Sequence, residues 1–189
     1  ITFGWGHGRR MSELQASVAR VQLRKIELIL KNMRENHNYF EKKLQNIGFT
    51  TRAKADENNY GDTGYYLILH LPKKENEREL INFGREFSKS LKDQGFYSWY
   101  LHDFEVHVYY NIEPLVKKIP LNDGSPWSDP KNSFHRQYDY SRGALPKLDK
   151  FLINSIGINM PSKMEPGQRD FFSFKLEEVL NKFSSKQTN

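Results

Sequence analysis

At 189 residues the chain is long enough for one ordinary domain, with or without an appended arm. Apolar residues make up 37% and mean hydropathy is −0.78, low but compatible with a core to which 13 Phe, 10 Tyr and 3 Trp contribute volume. The lack of cysteine excludes disulfides and thiolate zinc sites, no apolar run is long enough to span a bilayer, and a net charge of +6 favours an anionic partner; a cytoplasmic, membrane-free protein is the expectation.

The chain opens Ile1-Thr2-Phe3-Gly4, without an initiator methionine and directly on a glycine-rich motif, which predicts the C-terminal portion of a longer chain or one piece of a split one. Gly4, Gly6 and Gly8 occupy every second position, so the backbone can turn sharply or pass close to a ligand. Arg9 and Arg10 follow, and Ser12 with Gln15 makes an S-x-x-Q capping box at a helix start. Fixed positive charge beside free helix N–H groups suits a phosphate or carboxylate. A capped helix behind a solvated basic loop is the other reading of the same residues.

From Ser12 towards Asn46, Leu14, Val18, Val21, Ile26, Ile29, Leu30, Met33, Phe40 and Leu44 keep largely helical spacing. Unbroken, this helix is about 50 Å long, more than a small domain is wide, and fits a bridge between two domains. A break is expected near Asn32, Asn36 and Asn38, and Gly48 ends the element as its C′ residue. Phe49–Arg52 reads as a short strand, 53–62 as a polar loop, and Tyr65–Leu71 as a central strand covered on both faces. His70, within that strand, reads as a packed, hydrogen-bonded residue. Glu75–Asp93 is a helix with Leu80, Phe83, Phe87 and Leu91 inward, and its Arg78, Arg85, Lys89 and Lys92 among glutamates read as a solvated face. Gly95 stops it, and Phe96–Leu101 is a third strand.

The stretch 102–143 is dense in Pro and Gly and reads as a long loop. His102, Asp103, Glu105 and His107 raise the question of a metal, but on a strand the two histidines face opposite sides and no further ligand closes a site, so none is expected. Trp127, Phe134, Tyr138 and Tyr140, interleaved with Lys131, His135, Arg136 and Arg142, offer rings for a sugar or base, or anchors against a neighbouring domain. A short helix from Leu145-Pro146, a last strand at Ile153–Ile158 and a closing amphipathic helix at Pro166–Phe183 complete an α+β pattern with a small, mostly antiparallel sheet.

The run Gly6-x-x-x-Arg10-Met11-Ser12-Glu13-Leu14-Gln15-Ala16, with Val21-Gln22-Leu23-Arg24-Lys25-Ile26 one helix length on, resembles the segment joining the two domains of the DegT-type (DegT/DnrJ/StrS) sugar aminotransferases. These are pyridoxal-phosphate enzymes of the aspartate-aminotransferase fold. Leu145-Pro146 through Pro161 is similar to a later passage of the family. Phe96-Tyr97-Ser98-Trp99-Tyr100 carries a further, weaker likeness to the branch that aminates an eight-carbon keto-sugar acid for lipopolysaccharide.

The resemblance implies the small C-terminal domain of a fold type I pyridoxal-phosphate enzyme: a Gly-rich loop and interdomain helix over 1–48, an α+β domain over 49–184 with an insertion at about 102–143, and a tail at 185–189. It implies amino transfer from glutamate to a keto-sugar for surface polysaccharide, by a homodimer or with a separately encoded pyridoxal-phosphate domain. The family motif is G-x-N-x-R-M, whose Asn and Arg reach a neighbouring subunit's cofactor phosphate and substrate. Here Arg10 holds the Arg place and Gly8 the Asn place, so His7, Gly8 and Arg9 are the implied cofactor contacts and Arg10 the substrate contact. The lysine that carries the cofactor lies upstream of this motif in the family. No catalytic residue is therefore assigned, and the chain alone is expected to be inert. Two alternatives stay open: a sugar dehydratase of the same family, and a non-catalytic basic module for assembly or RNA. Nucleic acid is disfavoured because the strand aromatics lack an RNP-like Gly-aromatic pattern.

Overall fold

The computed structural model describes residues 10–46, 49–53, 61–121, 124–128, 130–131 and 137–184. Helix α1 spans Glu13–Leu23 and α2 spans Ile26–Asn46. The capping box forms: Ser12 Oγ accepts from the Gln15 N–H at 3.2 Å, and the Ser12 N–H donates to Gln15 Oε1 at 3.0 Å. The expected break at the asparagines is displaced to Arg24–Lys25, where the Lys25 N–H bonds the Gln22 carbonyl, three residues back instead of four. Around Asn36 the helix instead runs on. Asn36 is buried, and its Nδ2 donates to the Pro161 carbonyl at 2.9 Å, a tertiary bond that removes the side chain's competition with its own backbone. Gly48 lies outside the described residues.

A four-stranded, wholly antiparallel sheet follows, in the order β1 (Thr50–Thr51), β2 (Tyr66–His70), β4 (Ser155–Asn159), β3 (Ser98–Tyr100). The last strand in sequence thus fills the space between β2 and β3. Leu67 and Leu69 of β2, Ile156 and Ile158 of β4, and Tyr100 of β3 form one buried face. Against it pack Phe40 and Leu44 of α2, Phe83, Phe87 and Leu91 of α3 (Glu77–Asp93), and Leu176, Leu180 and Phe183 of the closing helix (Pro166–Ser184). Burying side chains of this size contributes about 1.5–3 kcal/mol each before entropy is counted. Phe87 and Phe183 meet edge-to-face at 5.0 Å.

β2 is interior, as its apolar run predicts, but it is not covered equally on both faces. Its alternate residues Tyr66, Ile68 and His70 are only partly covered or exposed, because three helices sit on the Leu67/Leu69 side. His70 is a packed residue: Nδ1 lies 3.1 Å from Ser155 Oγ and the ring stands edge-on to Phe151 of the short helix α5 (Pro146–Ile153), with α4 being the single turn Glu113–Val116.

Much of the stretch after β3 is not featureless loop. Short 3-10 turns occupy Leu101–Asp103, Glu105–His107 and Tyr109–Asn111, ahead of α4. Asp149, buried on α5, pins it: one oxygen accepts the Tyr109 hydroxyl at 2.8 Å, the other the Gly143 N–H at 2.8 Å. Trp127 is anchored within the same stretch, its Nε1–H donating to the Ile119 carbonyl at 2.9 Å and its ring edge-on to Tyr140. Phe134, His135 and Arg136 lie outside the described residues.

Candidate functional site

Two regions bear on function: the segment ahead of α1, and the sheet face opposite the core. Of the implied contacts, His7, Gly8 and Arg9 lie outside the described residues. Arg10 is exposed, two residues before the Ser12 cap, and makes no hydrogen bond or ion pair among the described residues. Such a guanidinium is solvated and ready to receive a carboxylate or phosphate in a bidentate manner. Beyond it, α1 buries no residue: Leu14, Val18, Val21 and Leu23 are all exposed, Leu14 at 77%, as is Met11 just ahead of the helix. In this α1 differs sharply from α2, whose second half enters the core.

The open sheet face is aromatic. Trp99 of β3 lies against Gly157 of β4, its register partner, and only a glycine leaves room: a Cβ there would come within 2.6 Å of the indole carbons. From Trp99 the rings continue in both directions. Tyr66 stands edge-on at 4.9 Å, Phe104 stacks at 5.6 Å, and His107 stacks on Phe104 at 4.4 Å. Tyr97, two residues before Trp99 and on the same face, is 74% exposed.

Beside these rings a cleft of about 740 Å³ runs along β3, with Arg85, Lys89 and Lys92 of α3 on its other wall. Their spacing of four and three residues puts all three on one helix side. Arg85 is engaged: its guanidinium grips Asp103 through two bonds, at 2.7 and 2.9 Å. That pairing holds the Asp103 carboxyl below the usual range. Lys89 and Lys92 make no side-chain hydrogen bond or ion pair among the described residues. Ser98 Oγ donates to the Ser88 carbonyl at 3.2 Å, and the buried Ser88 hydroxyl has no hydrogen-bond partner among the described residues.

The four residues weighed as metal ligands are separated by these contacts. His102 bonds Tyr110 through Nδ1 at 2.9 Å, Asp103 is held by Arg85, and His107 lies on Phe104; the histidines sit on successive 3-10 turns and not on a strand. Burial pushes the His102 imidazole below its ordinary value. Among the described residues no group of three or more His, Asp or Glu side chains could hold a metal ion.

Residues 2–116 match the DegT/DnrJ/EryC1/StrS aminotransferase family, from the glycine-rich motif through the sheet's third strand into α4. The chain belongs to this family. No curated protein matches it. Members of the DegT family generally depend on pyridoxal phosphate. Among the described residues no lysine is buried. The buried acids are committed elsewhere, Glu41 accepting from the Thr51 hydroxyl and Asp149 from Tyr109 and Gly143. No helix among them is long and apolar enough to cross a membrane.

Sequence reasoning missed the cleft. Arg85, Lys89 and Lys92 were legible as one helix side, but their destination depends on β3 being an edge strand, which follows only from β4 inserting between β2 and β3.

Proposed function

We propose that this chain is the C-terminal part of a cytoplasmic, pyridoxal-phosphate-dependent aminotransferase that moves an amino group from glutamate to a keto-sugar destined for surface polysaccharide or lipopolysaccharide. The family match over residues 2–116 carries the reading. In it, residues 49–184 are the small domain of a fold type I enzyme, and α1 with α2 connects that domain to the body holding the cofactor, on the same polypeptide, in a homodimer, or as a separate product. Two observations support the division of labour. α1 presents apolar side chains to solvent along its length, as expected of a helix that packs on another body. No lysine among the described residues is buried, in keeping with a covalent anchor for the cofactor outside them.

Arg10 is the substrate's anion contact in this proposal, with His7, Gly8 and Arg9 beside the cofactor. In the complete enzyme, Arg10→Ala is expected to raise KM for the keto-sugar at least about tenfold, the loss of one charge-assisted pair. Unchanged KM and cofactor affinity would remove Arg10 from the site. On its own the chain is expected to transfer no amino group.

A further inference from the structure

β3 lies at an edge of the sheet, and its ladder is complete on one side only. The Asn159 N–H donates to the Tyr97 carbonyl at 2.9 Å, which sets the phase of the β3–β4 pairing. Bonding alternates in an antiparallel pair, so Tyr97 and Trp99 turn their N–H and C=O towards β4 while Ser98 and Tyr100 turn theirs away. The Ser98 N–H and C=O and the Tyr100 N–H make no backbone hydrogen bond among the described residues. Ser98 and Tyr100 are each only 4% exposed, and backbone groups so buried are ordinarily paired. The cleft runs along this edge, between the side of α3 and the rings of Trp99 and Phe104. Its charge is divided lengthwise. The Phe96 N–H bonds the Leu91 carbonyl and Ser98 Oγ the Ser88 carbonyl, so Lys89 and Lys92 flank the Phe96–Ser98 half. The Tyr100 half carries the Arg85–Asp103 pair and Glu105.

We propose that this edge takes up an extended acidic segment of a partner protein as a further strand beside β3. Main-chain bonds to Ser98 and Tyr100 give it a register, as in other strand additions to a sheet edge. In the commoner antiparallel direction the segment runs from the Tyr100 end to the Ser98 end. A residue opposite Ser98 has its side chain on the α3 side of the sheet. A carboxylate there meets Lys89, and a second, two residues on, meets Lys92. The alternate residues fall on the Trp99 face, where β-branched side chains suit the pleat. The rings themselves stay packed as they are. A second copy of this chain, entering by its own β3, would add its own Lys89 and Lys92 to the same cleft, a like-charge conflict that an acidic strand avoids. The proposal goes beyond the aminotransferase reading, because it rests on backbone and charge at this edge and requires neither cofactor nor amino donor.

Fluorescence anisotropy of a dye-labelled pentapeptide, acetyl-Thr-Val-Glu-Val-Glu amide, titrated with the 189-residue chain tests it. Binding is expected with a Kd below about 1 mM, and at least about tenfold weaker when both Glu are replaced by Lys. In the antiparallel register the first Glu sits opposite Ser98, so N-methylation there removes a ladder bond and is expected to cost at least about tenfold. N-methylation of either Val, whose N–H faces away from β3, is expected to cost less than about threefold. Lys89→Gln with Lys92→Gln, both exposed, is expected to erase the preference for Glu over Lys with the fold intact. Any of four results would overturn the proposal. They are no binding up to about 5 mM, equal losses wherever the peptide is N-methylated, a preference for Glu that survives the lysine changes, or sedimentation showing a dimer that the peptide disperses, which gives the edge to a second copy. None of these measures amino transfer, so failure here is distinct from failure of the enzymatic reading.

Discussion

The indole of Trp99 rests on Gly157, with no space between them for even a methyl group. Gly157→Ala must therefore displace the ring or part β3 from β4. Overpacking of this kind costs about 1–3 kcal/mol. Chemical denaturation is expected to show that loss together with an altered tryptophan emission; unchanged stability and emission would mean the ring does not lie where it is described.

Tyr109 and Asp149 hold the stretch after β3 to α5. Tyr109→Phe leaves one oxygen of a buried carboxylate without its donor, and also removes the hydroxyl that accepts the Leu145 N–H at 3.2 Å. The expected destabilisation is about 1–3 kcal/mol, with faster proteolysis between Tyr109 and Leu145. Equal cleavage rates for variant and parent would show that the contact does not restrain this stretch.

Burial holds the His70 and His102 imidazoles below their ordinary value of 6.5. Below that pH the unfolded chain binds more protons than the folded one, so stability falls as pH drops through about 6.5 and levels off once the folded-state values are passed. Asp103 acts in a lower window: held below 3.8 by Arg85, it contributes above that value and loses its contribution as pH falls through the folded one. Denaturation midpoints from about pH 8 to about pH 5 are expected to decline, and His70→Gln with His102→Gln to flatten the decline. A flat profile in the parent would contradict the burial of both rings.

α1 carries its apolar residues outside the core, so Leu14→Asp and Val18→Asp should leave the isolated chain folded, with stability within about 0.5 kcal/mol of the parent. The same changes are expected to weaken association with the cofactor-bearing body by at least about tenfold. Full association by the double variant would place the contact elsewhere.

The helices and strands were legible where a local signal stood alone. Ser12 and Gln15 announced the start of α1, the phenylalanine spacing gave the inward face of α3, and Gly95, at a φ of 89°, marked its end. What escaped depended on distant partners. Asn36 looked like a helix breaker until Pro161 supplied its acceptor. His102 and His107 looked like opposite faces of a strand, because nothing local foretold the turn after Tyr100. Gly157 gave no sign of its role, since the Trp99 that needs it is 58 residues away in sequence and becomes its neighbour only through strand register. The family motif was legible except at its Asn place, where Gly8 stands, yet of its implied contacts only Arg10 falls within the described residues.

The visible absorbance spectrum with pyridoxal phosphate and glutamate, recorded on this chain alone and with the pyridoxal-phosphate domain it is proposed to complete, tests the central claim most directly. A cofactor band that shifts on adding glutamate in the mixture, and does so with neither component alone, is the expected result. A glutamate-responsive band from this chain by itself, or none in the mixture, would contradict the assignment of the chain as an aminotransferase's C-terminal part.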